Sequence, residues 1–162
     1  MDTRNAELVT RKHIARVREL LNSFAIEMIK RGDRHDASKF EPVELEPLAR
    51  MQAVIDVEGP AQFGTEEYKR RTDMLVDMIA HHRANNSHHP EHYPLGVAGM
   101  DLFDVVEMFF DWKAASERGQ DSCMRLAAAC HKYDVREPLR SILYNTAERL
   151  GYVADEIERE SA

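Results

Sequence analysis

Apolar residues recur at helical spacing along almost all of this chain, and no stretch alternates as a half-buried strand would. Between Ala6 and Arg31, Leu8, Ile14, Val17, Leu21, Phe24 and Met28 follow at steps of three, four and six residues. They share one face of a long amphipathic helix, and Gly32 is placed to close it as a C-terminal cap. Pro42 suits the first turn of a second helix, which runs through "VELEPLARMQAVI" to a stop at "EGP". Thr65 can cap a third, "TEEYKRRTDMLVDMIAHH", whose first turn carries two glutamates where the helix dipole favours them. The loop "RANNSHHPEHYPLGVAG" follows, then a fourth helix, "MDLFDVVEMFFDWKAASER", ending at Gly119. Fifth and sixth helices are expected from about Asp121 to Lys132 and from about Arg136 to Leu150. The expected fold is all-α: a compact single-domain bundle of about six helices over residues 1–152, with a frayed tail over 153–162.

Charge and cysteine usage remove several function classes. A net charge of −7 argues against a surface that coats nucleic acid. A nucleotide substrate stays open, because bound metal ions can supply positive charge locally. No apolar run approaches the roughly 20 residues that cross a bilayer, and "MDTRNAELVTRKH" has no signal-peptide character. Cys123 and Cys130, seven apart on what reads as one helix, are same-face neighbours too distant for a disulfide. A reducing, cytoplasmic setting is expected.

The chemistry concentrates in two places. On the fourth helix, Leu102, Val105, Phe109 and Trp112 form one apolar stripe, and Phe103, Val106 and Phe110 form another beside it. Asp104, Glu107 and Asp111 occupy the remaining face at i, i+3 and i+7. They are either a solvated face or a row of carboxylates turned to cations inside the fold, since buried unpartnered charge costs several kcal/mol per group. The second place is "MIAHHRANNSHHPEHYPLG", which holds five of the eight histidines between His81 and His92. His81 and His82 are adjacent on a helix and point about 100° apart, so they do not both reach one centre. His88 and His89 face the same limit unless the loop splays them. His13 and the pair His35-Asp36 complete the inventory. Imidazole with carboxylate, and no accompanying thiolate, suits one or two divalent transition metals (Mn, Fe, Zn, Co or Ni) better than Mg²⁺, which prefers oxygen alone.

The order of these groups is a histidine, an adjacent His-Asp pair, a helical histidine, a His-His pair and a distal acid. It resembles the HD superfamily of metal-dependent phosphohydrolases. The run His88-His89-Pro90-Glu91-His92-Tyr93-Pro94 resembles the His-His-Glu element of the two-metal branch that hydrolyses cyclic dinucleotides, lacking its glycine and with an inserted proline. Over roughly residues 13–146 the chain is also similar to a family of small phage-associated proteins. Its members combine "HDxSK", "HHxxNxHHPEHY" and "EMxxDW", here "HDASK" (35–39), "HHRANNSHHPEHY" (81–93) and "EMFFDW" (107–112). A phage origin would make the compartment the host cytoplasm.

The resemblance to the HD enzymes implies an HD-domain-like fold, with His13, His35, Asp36, His82, His88 and His89 as metal ligands. Either Asp104 or Asp111 would be the distal aspartate. Glu107 between them is a ligand, an acceptor for a histidine N–H or a general base. The implied activity is hydrolysis of a phosphate ester on a nucleotide or cyclic nucleotide. Lys39 is placed to meet the phosphate, with Arg83 and His92 as further partners. Asn86 orients a ligand or caps the loop, and Trp112 is expected in the core. The rival class is a non-catalytic metal-containing protein that binds a host partner or a signalling nucleotide. An acidic-helix Mg²⁺ pyrophosphatase leaves the histidines without a role, and a pH switch lacks a bistable element. The face of Leu139, Ile142 and Leu143 suits either a core or a homodimer interface.

Overall fold

The computed structural model describes residues 3–62, 65–118 and 122–155. Seven α-helices and three short 3₁₀ turns make up the regular structure of those residues, with no strand among them. The helices are α1 (Arg4–Arg34), α2 (Pro42–Glu58), α3 (Glu66–Asp73), α4 (Val76–Asn85), α5 (Leu102–Ser116), α6 (Leu126–Lys132) and α7 (Leu139–Arg149). The 3₁₀ turns span Ala37–Phe40, Pro90–His92 and Gly96–Gly99. The all-α class read from the sequence is therefore the observed one. None of the described helices is long and apolar enough to cross a membrane.

The chain divides into two units, residues 1–35 and 36–162. The first is essentially α1, a 31-residue helix in which no residue is buried. Ion pairs at i, i+3 and i, i+4 line it, among them Arg11–Glu7, Arg16–Glu19 and Lys30–Glu27. Each such pair contributes a few tenths of a kcal/mol to an isolated helix. Gly32 does not cap α1; the helix runs through it to Arg34. The left-handed residue after the helix is Asp36, at φ 55°. Asp tolerates that region because its short polar side chain bonds locally, so a glycine is not required there.

In the second unit the expected third helix is two helices. Thr65 caps α3 by accepting from the Tyr68 N–H at 3.2 Å, as its position predicts. The helix then breaks at Met74 and Leu75, where Leu75 N–H donates to Thr72 O in a tighter turn. Just upstream, Arg71 is buried and anchors α3 to the end of α2. It donates to Gly59 O at 2.8 Å and pairs with Glu58 at 2.9 Å.

α5 starts with a reciprocal capping box between Asp101 and Asp104. The core gathers Phe109 of α5, Met124, Leu126 and Cys130 around α6, Val135, and Leu143 and Ala147 of α7. Trp112 packs against it and stacks on Tyr133 with centroids 5.7 Å apart, as its apolar stripe predicts. On α7, Leu143 is core whereas Ile142 is exposed.

The expected fifth helix starts later than the sequence pattern suggests. Met124 forms a parallel bridge with Ala154, accepting from Asp155 N–H and donating to Val153 O. That pairing holds the segment extended, so α6 begins only at Leu126 and Cys123 lies outside it. The two cysteines therefore do not share a helix, and neither is in a disulfide. The same bridge ties down residues 153–155 of the expected tail. Residues 156–162, Gly119 and Asp121 lie outside the described residues.

Candidate metal centre

Within the second unit, α2 packs against α4, and the Ala37–Phe40 turn lies against both. This brings Asp36, at the start of the turn, beneath the end of α4. Lys39 N–H donates to Asp36 O at 2.9 Å to close the turn. The Lys39 ammonium meets Asp36 Oδ2 at 2.5 Å. Oδ1 of the same carboxylate is turned towards the histidines, 3.3 Å from His82 Nε2 and 3.5 Å from His88 Nε2.

His82 is buried near the end of α4, and its Nδ1 lies 2.9 Å from Glu44 Oε2 on α2. Asn86 Nδ2 is also near, at 3.1 Å, but its two hydrogens have better acceptors in Ser38 Oγ and His82 O, both at 2.7 Å. Ser38 Oγ, 3.4 Å away, gives its proton to Glu44, and the close partner of Nδ1 that remains is that carboxylate, which only accepts. Nδ1 of His82 is therefore the donor, and in the neutral ring Nε2 keeps the lone pair, facing Asp36 and His89. Glu44 itself is 0 % exposed. Burial pushes its carboxyl up, but hydrogen bonds from His81, Ser38 and His82, with the charge interaction at His82, outweigh it and the net shift is downward.

His88 repeats the arrangement from the loop. It is 2 % exposed, and its Nδ1 lies 3.1 Å from Glu107 Oε1 on α5, leaving Nε2 for Asp36. His89 has extended backbone, at φ −90° and ψ 125°, so the helical limit on neighbouring side chains does not apply to His88 and His89. Their ring centroids are 4.2 Å apart, and His89 Nε2 lies 2.9 Å from His82 Nε2. A contact that close between two ring nitrogens needs a proton or a cation between them. Burial, then the neighbouring His88 and His82, hold the His89 imidazole down to about 4, so it is neutral at pH 7.

Asp36, His82, His88 and His89 thus present one donor atom each, all within 4.8 Å of one another, and can hold a metal ion. Three imidazole nitrogens and one carboxylate oxygen are a borderline-soft set that fits a transition metal. Two of the rings have their far nitrogen fixed by a carboxylate, the usual support for a ligating histidine.

The other predicted residues take different places. Asp104 is 2 % exposed and its carboxylate is engaged. It accepts from Ser87 and Tyr93 hydroxyls at 2.6 Å each, and from Asp101 N–H at 3.2 Å. It thereby staples the loop on both sides of His88-His89. Burial, then Asp104, push the Tyr93 phenol up, which keeps it a donor. Asp111 lies near enough for its charge to act on His89. Arg83 pairs with Glu91 at 2.8 Å, and exposed His92 contacts Arg83 O through Nδ1 at 2.9 Å. Asn86 is buried, spending its amide on Ser38 and the end of α4, which is the capping role rather than a free ligand contact. His13 is exposed on α1, and His35 is the C-cap of that helix, both in the first unit.

Sequence reasoning missed Glu44 and Ser38. Glu44 stands in the first turn of α2, where a glutamate reads as a favourable helix-dipole charge. The only hint of its partner was His81-His82, two imidazoles on one helix that need acceptors.

The family model described as "Family of unknown function (DUF5662)" matches residues 3–149, and the chain belongs to that family. No curated protein and no solved structure matches it.

Proposed function

We propose that this DUF5662 chain binds one divalent transition metal through Asp36, His82, His88 and His89 and uses it to hydrolyse a phosphate ester, as HD-type enzymes do. The observation that carries the reading is the convergence of those four donors with the far nitrogens of His82 and His88 held by Glu44 and Glu107. The substrate class proposed is a nucleotide or cyclic nucleotide, from the motif order shared with the HD enzymes.

When bound, the cation supplies an acidified water and a Lewis acid for a phosphoryl oxygen. The chain's residues supply the rest. Lys39, with its side chain 39 % exposed, neutralises Asp36 and offers an ammonium to an incoming phosphate. Glu107 holds the His88 ring through Nδ1 and acts on orientation. Asp104 holds the loop, which leaves Asp111 as the acid beside the cluster for moving a proton.

A second reading has its own observation. Four donors from the chain can fill a tetrahedral shell, which is how structural metal sites are closed. The metal would then hold the loop to α4 and turn nothing over.

Assay of the purified chain with Mn²⁺, Zn²⁺, Co²⁺ and Ni²⁺ on nucleoside mono-, di- and triphosphates and cyclic dinucleotides separates the two. Release of phosphate or opening of a phosphodiester that chelator abolishes and Asp36→Asn removes supports the hydrolase. A metal-loaded, folded chain that is inert on the whole panel supports the closed structural site.

A further inference from the structure

Adjacent histidines on a helix diverge, and His81 and His82 do so here, yet one carboxylate catches both. Glu44 Oε1 lies 2.7 Å from His81 Nδ1, and Oε2 lies 2.9 Å from His82 Nδ1. Glu44 comes from α2, the helix packed beneath α4, and no part of it is exposed. Ser38 Oγ stands 3.4 Å from the same His82 nitrogen, and Asn86 fills the remaining side. The Ser38 hydroxyl and the Asn86 amide are the nearby groups able to donate to that nitrogen instead.

We propose that Glu44 is the positioning residue of the metal centre: it selects the Nδ1–H tautomer of His82 and so makes Nε2 the ligand atom. His81 serves as the outer clamp that holds the second carboxylate oxygen. The inference rests on the metal-binding reading above for its purpose, but the tautomer claim stands on the geometry alone.

The consequence of removing Glu44 follows from the neighbours. Without an acceptor at Nδ1, the Ser38 hydroxyl, which loses its own partner in Glu44, or the Asn86 amide turns to donate there, and the ring proton moves to Nε2. That proton then faces Asp36 and must leave before any cation binds. A conservative change behaves differently. Glutamine keeps one oxygen, and the half-exposed His81 is free to reverse its own tautomer and accept from the amide. Glu44→Gln therefore keeps His82 as it is, whereas Glu44→Met does not.

The test is ¹⁵N NMR of the histidine ring nitrogens in the metal-free chain, combined with competitive Co²⁺ titration. The wild type is expected to show His82 protonated at Nδ1, and Glu44→Met to show it protonated at Nε2. Co²⁺ affinity should fall roughly 10–100-fold in Glu44→Met, the usual effect of losing a histidine's outer partner. Glu44→Gln and His81→Ala should keep the wild-type tautomer and most of the affinity. Wild-type His82 protonated at Nε2 overturns the proposal, a reading that needs no variant to fold. So does a Glu44→Met chain that keeps both the tautomer and the affinity. If the wild type takes up no Co²⁺, the metal reading fails while the ring-nitrogen spectra still decide the role of Glu44.

Discussion

Replacing Asp104 with alanine separates a loop staple from a metal ligand. Asp104→Ala removes the acceptor for two hydroxyls at 2.6 Å, from Ser87 and Tyr93, and for Asp101 N–H at 3.2 Å. A hydrogen bond to an ionised group contributes about 1.5–3 kcal/mol. Ser87 and Tyr93 are only half-buried, so both hydroxyls recover part of this from water, and the backbone N–H lies at a helix start. A net loss of about 3–5 kcal/mol is expected, a large share of the roughly 5–15 kcal/mol that holds a domain together. The melting midpoint should drop by roughly 10 °C. Asp104→Asn keeps an acceptor oxygen and should lose less than half as much. Urea and thermal melts, each with and without saturating Zn²⁺, give the answer. Zn²⁺ should still stabilise Asp104→Ala, because the four converging donors remain. The reasoning fails if Asp104→Ala melts like the wild type, or if it no longer responds to Zn²⁺.

Two further outcomes follow from individual side chains. His89 is held down to about 4, against an ordinary value near 6.5, so the unfolded chain takes up a proton that the folded chain refuses. This costs nothing above pH 6.5, and stability is lost as pH falls from about 6.5 to 4. Between pH 7 and 5 the metal-free wild type should lose about 2 kcal/mol more than His89→Gln by urea denaturation; equal losses would contradict the buried, neutral ring. Tyr144 Oη is buried and has no hydrogen bond of full geometry among the described residues, and burial, then the charge of Asp155 with a weak hydrogen bond to it, push the phenol up to about 12. Tyr144→Phe should leave stability within about 0.5 kcal/mol or raise it slightly, and a loss above about 1.5 kcal/mol would reveal a partner for that hydroxyl.

How far the molecule can be read from its sequence varies with the range of the signal. Helices α1, α2, α5 and α7 and the start of α3 announce themselves through period and caps, because Pro42, Thr65 and Asp101 act within one turn of where they stand. The break at Met74 and Leu75 does not: no glycine or proline marks it, and the contact beside it, from Arg71 to Gly59 O, spans 12 residues. Nor does the late start of α6, which a bridge from Met124 to Ala154 imposes from 30 positions away. Among site residues, "HDASK" and "HHRANNSHHPEHY" carry Asp36, His82, His88 and His89, whose donor atoms the fold brings within 4.8 Å of one another. Spacing alone left Asp104 and Asp111 equal; what distinguishes Asp104 is a loop folding back so that Ser87 and Tyr93 donate to it. Glu44 was hidden for the opposite reason: a glutamate in a first helical turn has an adequate local explanation, and only the packing of α2 on α4 reveals another.

The central claim is that Asp36, His82, His88 and His89 form one metal site. Co²⁺ titration of the metal-free chain, followed by visible absorption and by metal analysis after dialysis, tests it most directly. One ion per chain is expected, with the intense bands of a four-coordinate nitrogen and oxygen site, and with binding lost in Asp36→Ala and His88→Ala chains that remain folded. A folded wild-type chain that retains no stoichiometric metal, or an Asp36→Ala chain that binds as the wild type does, would contradict it.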